Sequence, residues 1–231
     1  MTAISSNQTV IVTGLPRSGT SMMMKMLEAG GVPPLCDGER TADSDNPNGY
    51  YEFEPVKNTK NDPSWLRDAS GKAVKMVYSL LYDLPTNEAR IRNSSESRPA
   101  VEQVSNLPEH PEQRQVENLH HERDATPYNV IFMRRDLSEV LASQQQMLSN
   151  MNIKTTIDDD RMAKLFTGEI VRFQKWIAAS SHINCIEVLY NDVASGSVSP
   201  LHQINSHLGG RLDVDAMSAV VDPSLYRNRA A

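Results

Sequence analysis

The stretch from Thr9 to Ser21 constrains this chain more than any other. It begins with TVIVT, a short β-branched run that reads as a buried strand of a parallel sheet. Residues 14–19 make a Gly-rich turn. Met22, Met23, Met26 and Leu27 then recur at helical spacing, and Gly30-Gly31 end that helix. A strand feeding a tight turn and then a helix points backbone N–H groups of the helix start into one concavity, which favours an anion. Arg17 adds a cation beside it.

The rest of the chain repeats the alternation. Residues 73–78 read as a second strand, 128–133 (YNVIFM) as a third and 184–190 (NCIEVLY) as a fourth. A helix is expected from about Leu137 to Leu148, with Asp136 at its N-cap and Glu139 completing a capping box. Met162, Leu165, Phe166, Ile170, Phe173 and Ile177 mark a long amphipathic helix, and Asp158-Asp159-Asp160 suits its start, where negative charge is favourable. Residues 200–208 read as a helix stopped by Gly209-Gly210, followed by a short helix near 213–221. Residues 32–62 read as loop with short helical pieces. The stretch 86–125 is polar and Pro-containing and reads as an exposed insertion. Strands alternating with helices give an α/β domain with a mostly parallel sheet, in which ligands bind at the carboxyl ends of the strands.

Composition narrows the partners. With 23 basic and 29 acidic residues, the net charge is −6, which argues against a dedicated nucleic-acid binder. Two cysteines, Cys36 and Cys185, make no disulfide framework and fit a reducing, cytoplasmic compartment. No apolar run approaches the ~20 residues of a membrane span, and MTAISSNQ has no signal-peptide pattern. His120-His121 lacks companions at ligand spacing and reads as a solvated pair, so no metal site is expected.

The turn GLPRSGTS has the spacing of the phosphate-binding loop G-x-x-x-x-G-K-[ST], but Thr20 stands where the lysine belongs. In ATP-using enzymes that lysine reaches the outer phosphates and magnesium neutralises the rest. A sulfuryl group carries less negative charge than a phosphoryl group, and its transfer needs less cation and no metal. LPRSGTS, residues 15–21, resembles the 5′-phosphosulfate loop of sulfotransferases that use 3′-phosphoadenosine 5′-phosphosulfate (PAPS). That resemblance implies a three-layer P-loop-type fold over residues 1–231, with Arg17, Ser18, Gly19, Thr20 and Ser21 holding the 5′-phosphosulfate.

RDLSEVLAS, residues 135–143, is similar to the same family's 3′-phosphate motif, in which an Arg and a Ser share this spacing. Arg135 and Ser143 would hold the 3′-phosphate as a charged fork plus a neutral donor, with Arg134 as the neighbouring alternative. Tyr190, in Tyr190-Asn191-Asp192, resembles a Tyr-Glu-Asp segment whose tyrosine approaches the nucleotide. Arg227 and Arg229 form a basic tail.

Transfer to a hydroxyl or amine acceptor, small molecule or peptide, needs a base. Lys75 matches a lysine that the cytosolic branch carries on its second strand, while Val77 stands where that branch has its histidine. Cys36 to Arg40 resembles a stretch whose glutamate serves as base in the branch that includes protein-tyrosine sulfotransferases, which makes Glu39 the first candidate. Residues 46–52 match an Asn-Pro-x-Gly-Tyr-aromatic-Glu segment of bacterial sulfotransferase-like proteins, which makes Glu52 the second. The resemblance implies PAPS as donor, 3′-phosphoadenosine 5′-phosphate (PAP) as product and no metal. Two rivals stand beside it: a nucleotide-dependent kinase, with Asp192 as its magnesium ligand, and a non-catalytic nucleotide-binding protein.

Overall fold

The computed structural model describes residues 4, 8–38, 46, 49–86, 128–150, 152 and 158–222. Its strands are β1 (Thr9–Gly14), β2 (Pro34–Leu35), β3 (Lys72–Lys75), β4 (Tyr128–Arg134) and β5 (Ile183–Leu189). They form one sheet in the order β2-β3-β1-β4-β5, and every pairing is parallel. The helices are α1 (Thr20–Ala29), α2 (Leu137–Asn150), α3 (Asp159–Ala179), α4 (Tyr190–Ala194), α5 (Ser199–His207) and α6 (Val214–Ala219).

The β-branched run of β1 sits at the centre because both of its faces are covered. Val10 and Val12 enter one core with Met23, Met26 and Leu27 of α1, Leu201 and Ile204 of α5, and Met217 of α6. Ile11 enters the opposite core with Val74, Val130, Phe132 and Phe173 of α3. Helices on both faces of a parallel sheet make the three layers of the expected fold. Val10, Ile11 and Val12 are fully buried, and each contributes about 1.5–3 kcal/mol. That burial fixes β1, and with it the point where the following loop leaves the sheet. From β1 the chain passes β3 to reach the edge strand β2, whereas β4 lies on the other side of β1. The carboxyl end of β1 is therefore the switch point at which α/β sheets bind ligands.

Local boundaries differ from the sequence reading. The strand expected over 73–78 ends at Lys75, and Tyr78–Asp83 is a 3₁₀ helix. Lys75 is level with Val12, and the N–H of Met76 makes the last bond across to Val12; β1 itself runs on to Gly14, paired there with β4 alone, while the chain after Met76 turns off into the 3₁₀ helix. Within the stretch read as loop, Pro34–Leu35 adds a short edge strand, too brief to leave a periodic signal. Its proline opens the strand, where a missing N–H costs least. Tyr190, read as the last residue of the fourth strand, instead opens α4.

Candidate functional site

The loop after β1 is built by conformations that few residues tolerate. Arg17 has φ 67° and Gly19 has φ 91°, both in the left-handed region that disfavours side chains. A β-carbon at Gly19 would also strike the ring of Tyr190, and one at Gly14 would collide with the Ser18 hydroxyl and lie 2.6 Å from the Met133 carbonyl oxygen. Ser18 is 1 % exposed, with its hydroxyl tucked under the loop against Gly14. Its N–H donates to the Leu15 carbonyl at 3.2 Å, closing the turn. Gly19 is the N-cap of α1 and supplies no side-chain cap, and no acidic residue occupies the first turn. The helix thus begins without the side-chain oxygen that ordinarily meets its first N–H groups. Thr20 and Ser21 form that first turn.

The loop meets the 135–143 motif directly. The Arg17 Nε–H donates to Ser143 Oγ at 2.9 Å, from the loop after β1 to the helix after β4. Arg135 donates from Nη1 to the Arg17 carbonyl at 3.2 Å and from Nε to Glu139 Oε2 at 2.8 Å. Its guanidinium lies 4.3 Å from the centre of the Tyr190 ring, a cation–π contact. Tyr190 is buried. Burial pushes its phenol above its ordinary value, and Arg135 opposes the rise. Asn191 donates to Glu139 Oε1 at 2.9 Å. Arg134, one residue away, faces out to an exposed partner, Glu187, at 3.1 Å. Arg135 and Ser143 thus lie beside the loop arginine, whereas the side chain of Arg134 is engaged elsewhere.

The capping box takes another form. The N–H and hydroxyl of Ser138 both donate to Asp136 Oδ1, and the N–H of Val140 donates to the Asp136 carbonyl. Asp136 caps the helix, while Glu139 turns into the site. Reading Glu139 as cap chemistry hid its place there. The signal available was its spacing, one helical turn after Arg135 at the strand's end.

A second group of contacts closes the other flank. Lys75, the last residue of β3, donates to the Tyr50 carbonyl and lies 3.5 Å from Ser21 Oγ. Asn46 donates from Nδ2 to Ser21 Oγ at 2.9 Å and to the Gly49 carbonyl at 2.6 Å. The Tyr51 hydroxyl donates to Glu28 of α1 at 2.7 Å; burial first, and then this carboxylate, raise its phenol well above the usual value. The Glu52 carbonyl accepts from the N–H of Asp37 at 3.0 Å. Lys75 and Asn46 thus reach Ser21 at the start of α1, Tyr51 reaches the last turn of the same helix, and Glu52 follows Tyr51 in the chain. Val77 is 51 % exposed just beyond Lys75.

Glu39, His120, His121, Arg227 and Arg229 lie outside the described residues, as does most of the 86–125 stretch. Among the described residues, no group of three or more His, Cys, Asp or Glu side chains could hold a metal ion, and no helix is long and apolar enough to cross a membrane. Comparison with known proteins gives one family: the model of the sulfotransferase family matches residues 9–213, which take in the loop, the 135–143 motif, Lys75 and Tyr190. A search of curated proteins found no match.

Proposed function

The chain belongs to the sulfotransferase family, and from that premise we propose that it moves a sulfuryl group from PAPS to a hydroxyl or amine of a small molecule or peptide. The observation that carries the reading is the Arg17–Ser143 hydrogen bond, by which the residues that resemble the 5′- and 3′-phosphate motifs meet although 126 positions separate them. The start of α1 fits an anionic group: it has no side-chain cap, no acidic first turn, and Arg17 alongside. In this reading Arg17 and the backbone of 18–21 hold the 5′-phosphosulfate, Ser18 through the shape it gives the loop. Arg135 and Ser143 hold the 3′-phosphate, with Tyr190 beside the nucleotide. Bound there, PAPS supplies an activated sulfuryl group and leaves as PAP.

The acceptor oxygen or nitrogen forms the new bond to sulfur as the bond from sulfur to the phosphate oxygen breaks. Glu39 takes the acceptor proton, with Glu52 as the second candidate. Lys75 stabilises the charge that develops on the oxygen of the breaking bond; its 3.5 Å approach to Ser21 supports that role. We read residues 1–231 as one domain acting in a reducing, cytoplasmic compartment, in keeping with the free thiols Cys36 and Cys185.

Thermal-shift measurements with PAP, AMP and ATP plus magnesium test the donor. The largest stabilisation is expected from PAP. A larger one from ATP with magnesium overturns the reading in favour of a kinase.

A further inference from the structure

Glu139 is 2 % exposed, the one carboxylate buried this deeply among the described residues. An ionised carboxylate is costly to remove from water and persists only where hydrogen bonds and an opposite charge meet it. Both oxygens of Glu139 are met, by different segments. Oε2 accepts from Arg135, which follows β4, and Oε1 accepts from Asn191 near the end of β5. Arg135 in turn reaches the carbonyl of Arg17 in the loop after β1. One carboxylate therefore links the residues at three neighbouring strand ends. Helix capping does not require it, because Asp136 does that work.

The same contacts restrict Arg135. Its Nε edge is turned to Glu139, its Nη1 to a backbone oxygen, and its face lies on Tyr190. A guanidinium held at two edges and one face has little rotation left, and its side chain is only 7 % exposed. Resting on the donor reading above, we infer that Glu139 is a positioning residue for recognition of the 3′-phosphate: it sets the plane and the edge that Arg135 presents, and acts only through Arg135. Charge and orientation pull in opposite directions here. A neutral residue at 139 makes the site more positive, which alone would tighten anion binding. It also releases Arg135, which weakens a directional contact. The sign of the change separates the two.

The experiment is calorimetry of the full chain with PAP and with AMP, which lacks the 3′-phosphate. Glu139→Gln is expected to weaken PAP binding about tenfold, or about 1.4 kcal/mol, and AMP binding by less than about threefold. Glu139→Asp, which keeps the charge, is expected to recover part of the loss. Glu187→Gln, which removes the exposed partner of Arg134, should leave the PAP-to-AMP ratio unchanged. Tighter PAP binding in Glu139→Gln overturns the inference, because the carboxylate would then be a counter-charge only. Equal weakening of both nucleotides with a lower thermal midpoint also overturns it, in favour of a merely structural role. Should Glu139→Gln not fold, Asn191→Ala removes the second tether, and a PAP-selective loss of about threefold is expected; an unchanged ratio overturns the inference. Wild-type protein that does not prefer PAP to AMP shows that the donor reading itself has failed.

Discussion

The Nε–H of Arg17 points at Ser143 Oγ across 2.9 Å, so a residue of the loop after β1 and a residue about two turns into α2 share a single hydrogen bond. Arg17 reaches it from a left-handed backbone, φ 67°. That conformation is costly for a residue with a side chain and persists where the surroundings hold it. Here the Arg17 carbonyl is held by Arg135 and its side chain by Ser143. The loop is thus built against the helix that follows β4.

Loss of that hydroxyl is expected to reduce the discrimination between nucleotides. PAP at about 100 times its dissociation constant should stabilise the wild-type fold by about 2.7 kcal/mol, and more than AMP does. In Ser143→Ala the advantage of PAP over AMP should shrink, because a neutral donor to the 3′-phosphate is gone and Arg17 has lost its anchor. Differential scanning fluorimetry with both nucleotides measures this. An unchanged advantage would remove Ser143 from the 3′-phosphate site.

Arg135→Ala is expected to weaken PAP binding by ~10- to 100-fold, the loss of charge-assisted hydrogen bonds worth about 1.5–3 kcal/mol. It should also lower stability, because Glu139 would remain buried without its cation, a loss of about 3–5 kcal/mol when one partner of a buried pair is removed. Arg134→Ala should do much less on both counts, since its pair with Glu187 is more than a third exposed on each side and such pairs contribute little. Calorimetry that ranks the two variants the other way would move the 3′-phosphate ligand to Arg134.

The three layers and the place of the loop were legible because each depends on a repeated pattern. TVIVT and YNVIFM are runs that only a covered strand accommodates, and GLPRSGTS is a turn with fixed spacing. Contacts that depend on which way one side chain turns were not legible. The letters of the 136–139 stretch fit a capping box, and only the fold shows that Asp136 caps alone while Glu139 reaches Asn191, some fifty residues on. Asn46 was visible as part of a segment, but its bond to Ser21 depends on how a Pro- and Gly-rich loop returns, which no periodicity encodes.

Stability should fall on mild acidification. Burial holds His207 below its ordinary value of 6.5, and its Nε2 is buried with no hydrogen-bond partner among the described residues. His182 is lowered by burial as well. Below pH 6.5 the unfolded chain binds protons that the folded one resists. This contribution is therefore fully present above 6.5 and is lost as the pH falls toward the folded values. The slope is at most about 1.4 kcal/mol per pH unit for each group. Thermal midpoints between pH 7.5 and 5.5 should decline, and His207→Gln should flatten part of the decline. A parallel curve in that variant would assign the slope to other groups.

Activity is expected without a divalent metal. Thr20 replaces the lysine that accompanies magnesium in ATP-using loops, and among the described residues Lys75 brings a cation to within 3.5 Å of Ser21, with Arg17 in the loop itself. Turnover of PAPS in excess chelator should equal turnover with magnesium. Complete loss in chelator, restored by magnesium, would revive the kinase alternative.

The base is tested by separating turnover from nucleotide binding. Glu39→Gln is expected to lower turnover by ~100- to 10,000-fold, the range for loss of a general base, with PAP affinity nearly unchanged because a base faces the acceptor. Glu52 is the competing carboxylate, and its backbone carbonyl accepts from the N–H of Asp37. Glu52→Gln with normal turnover beside a slow Glu39→Gln would assign the proton to Glu39; the reverse would assign it to Glu52. Lys75→Ala should also slow turnover, since its ammonium is within reach of Ser21 and holds the Tyr50 carbonyl. That second bond gives the lysine a structural share, which Lys75→Arg separates: a cation that still meets the carbonyl but sits differently should keep the thermal midpoint and lose rate. Full activity in both glutamine variants would leave proton removal to a group outside these residues, such as one on the acceptor itself.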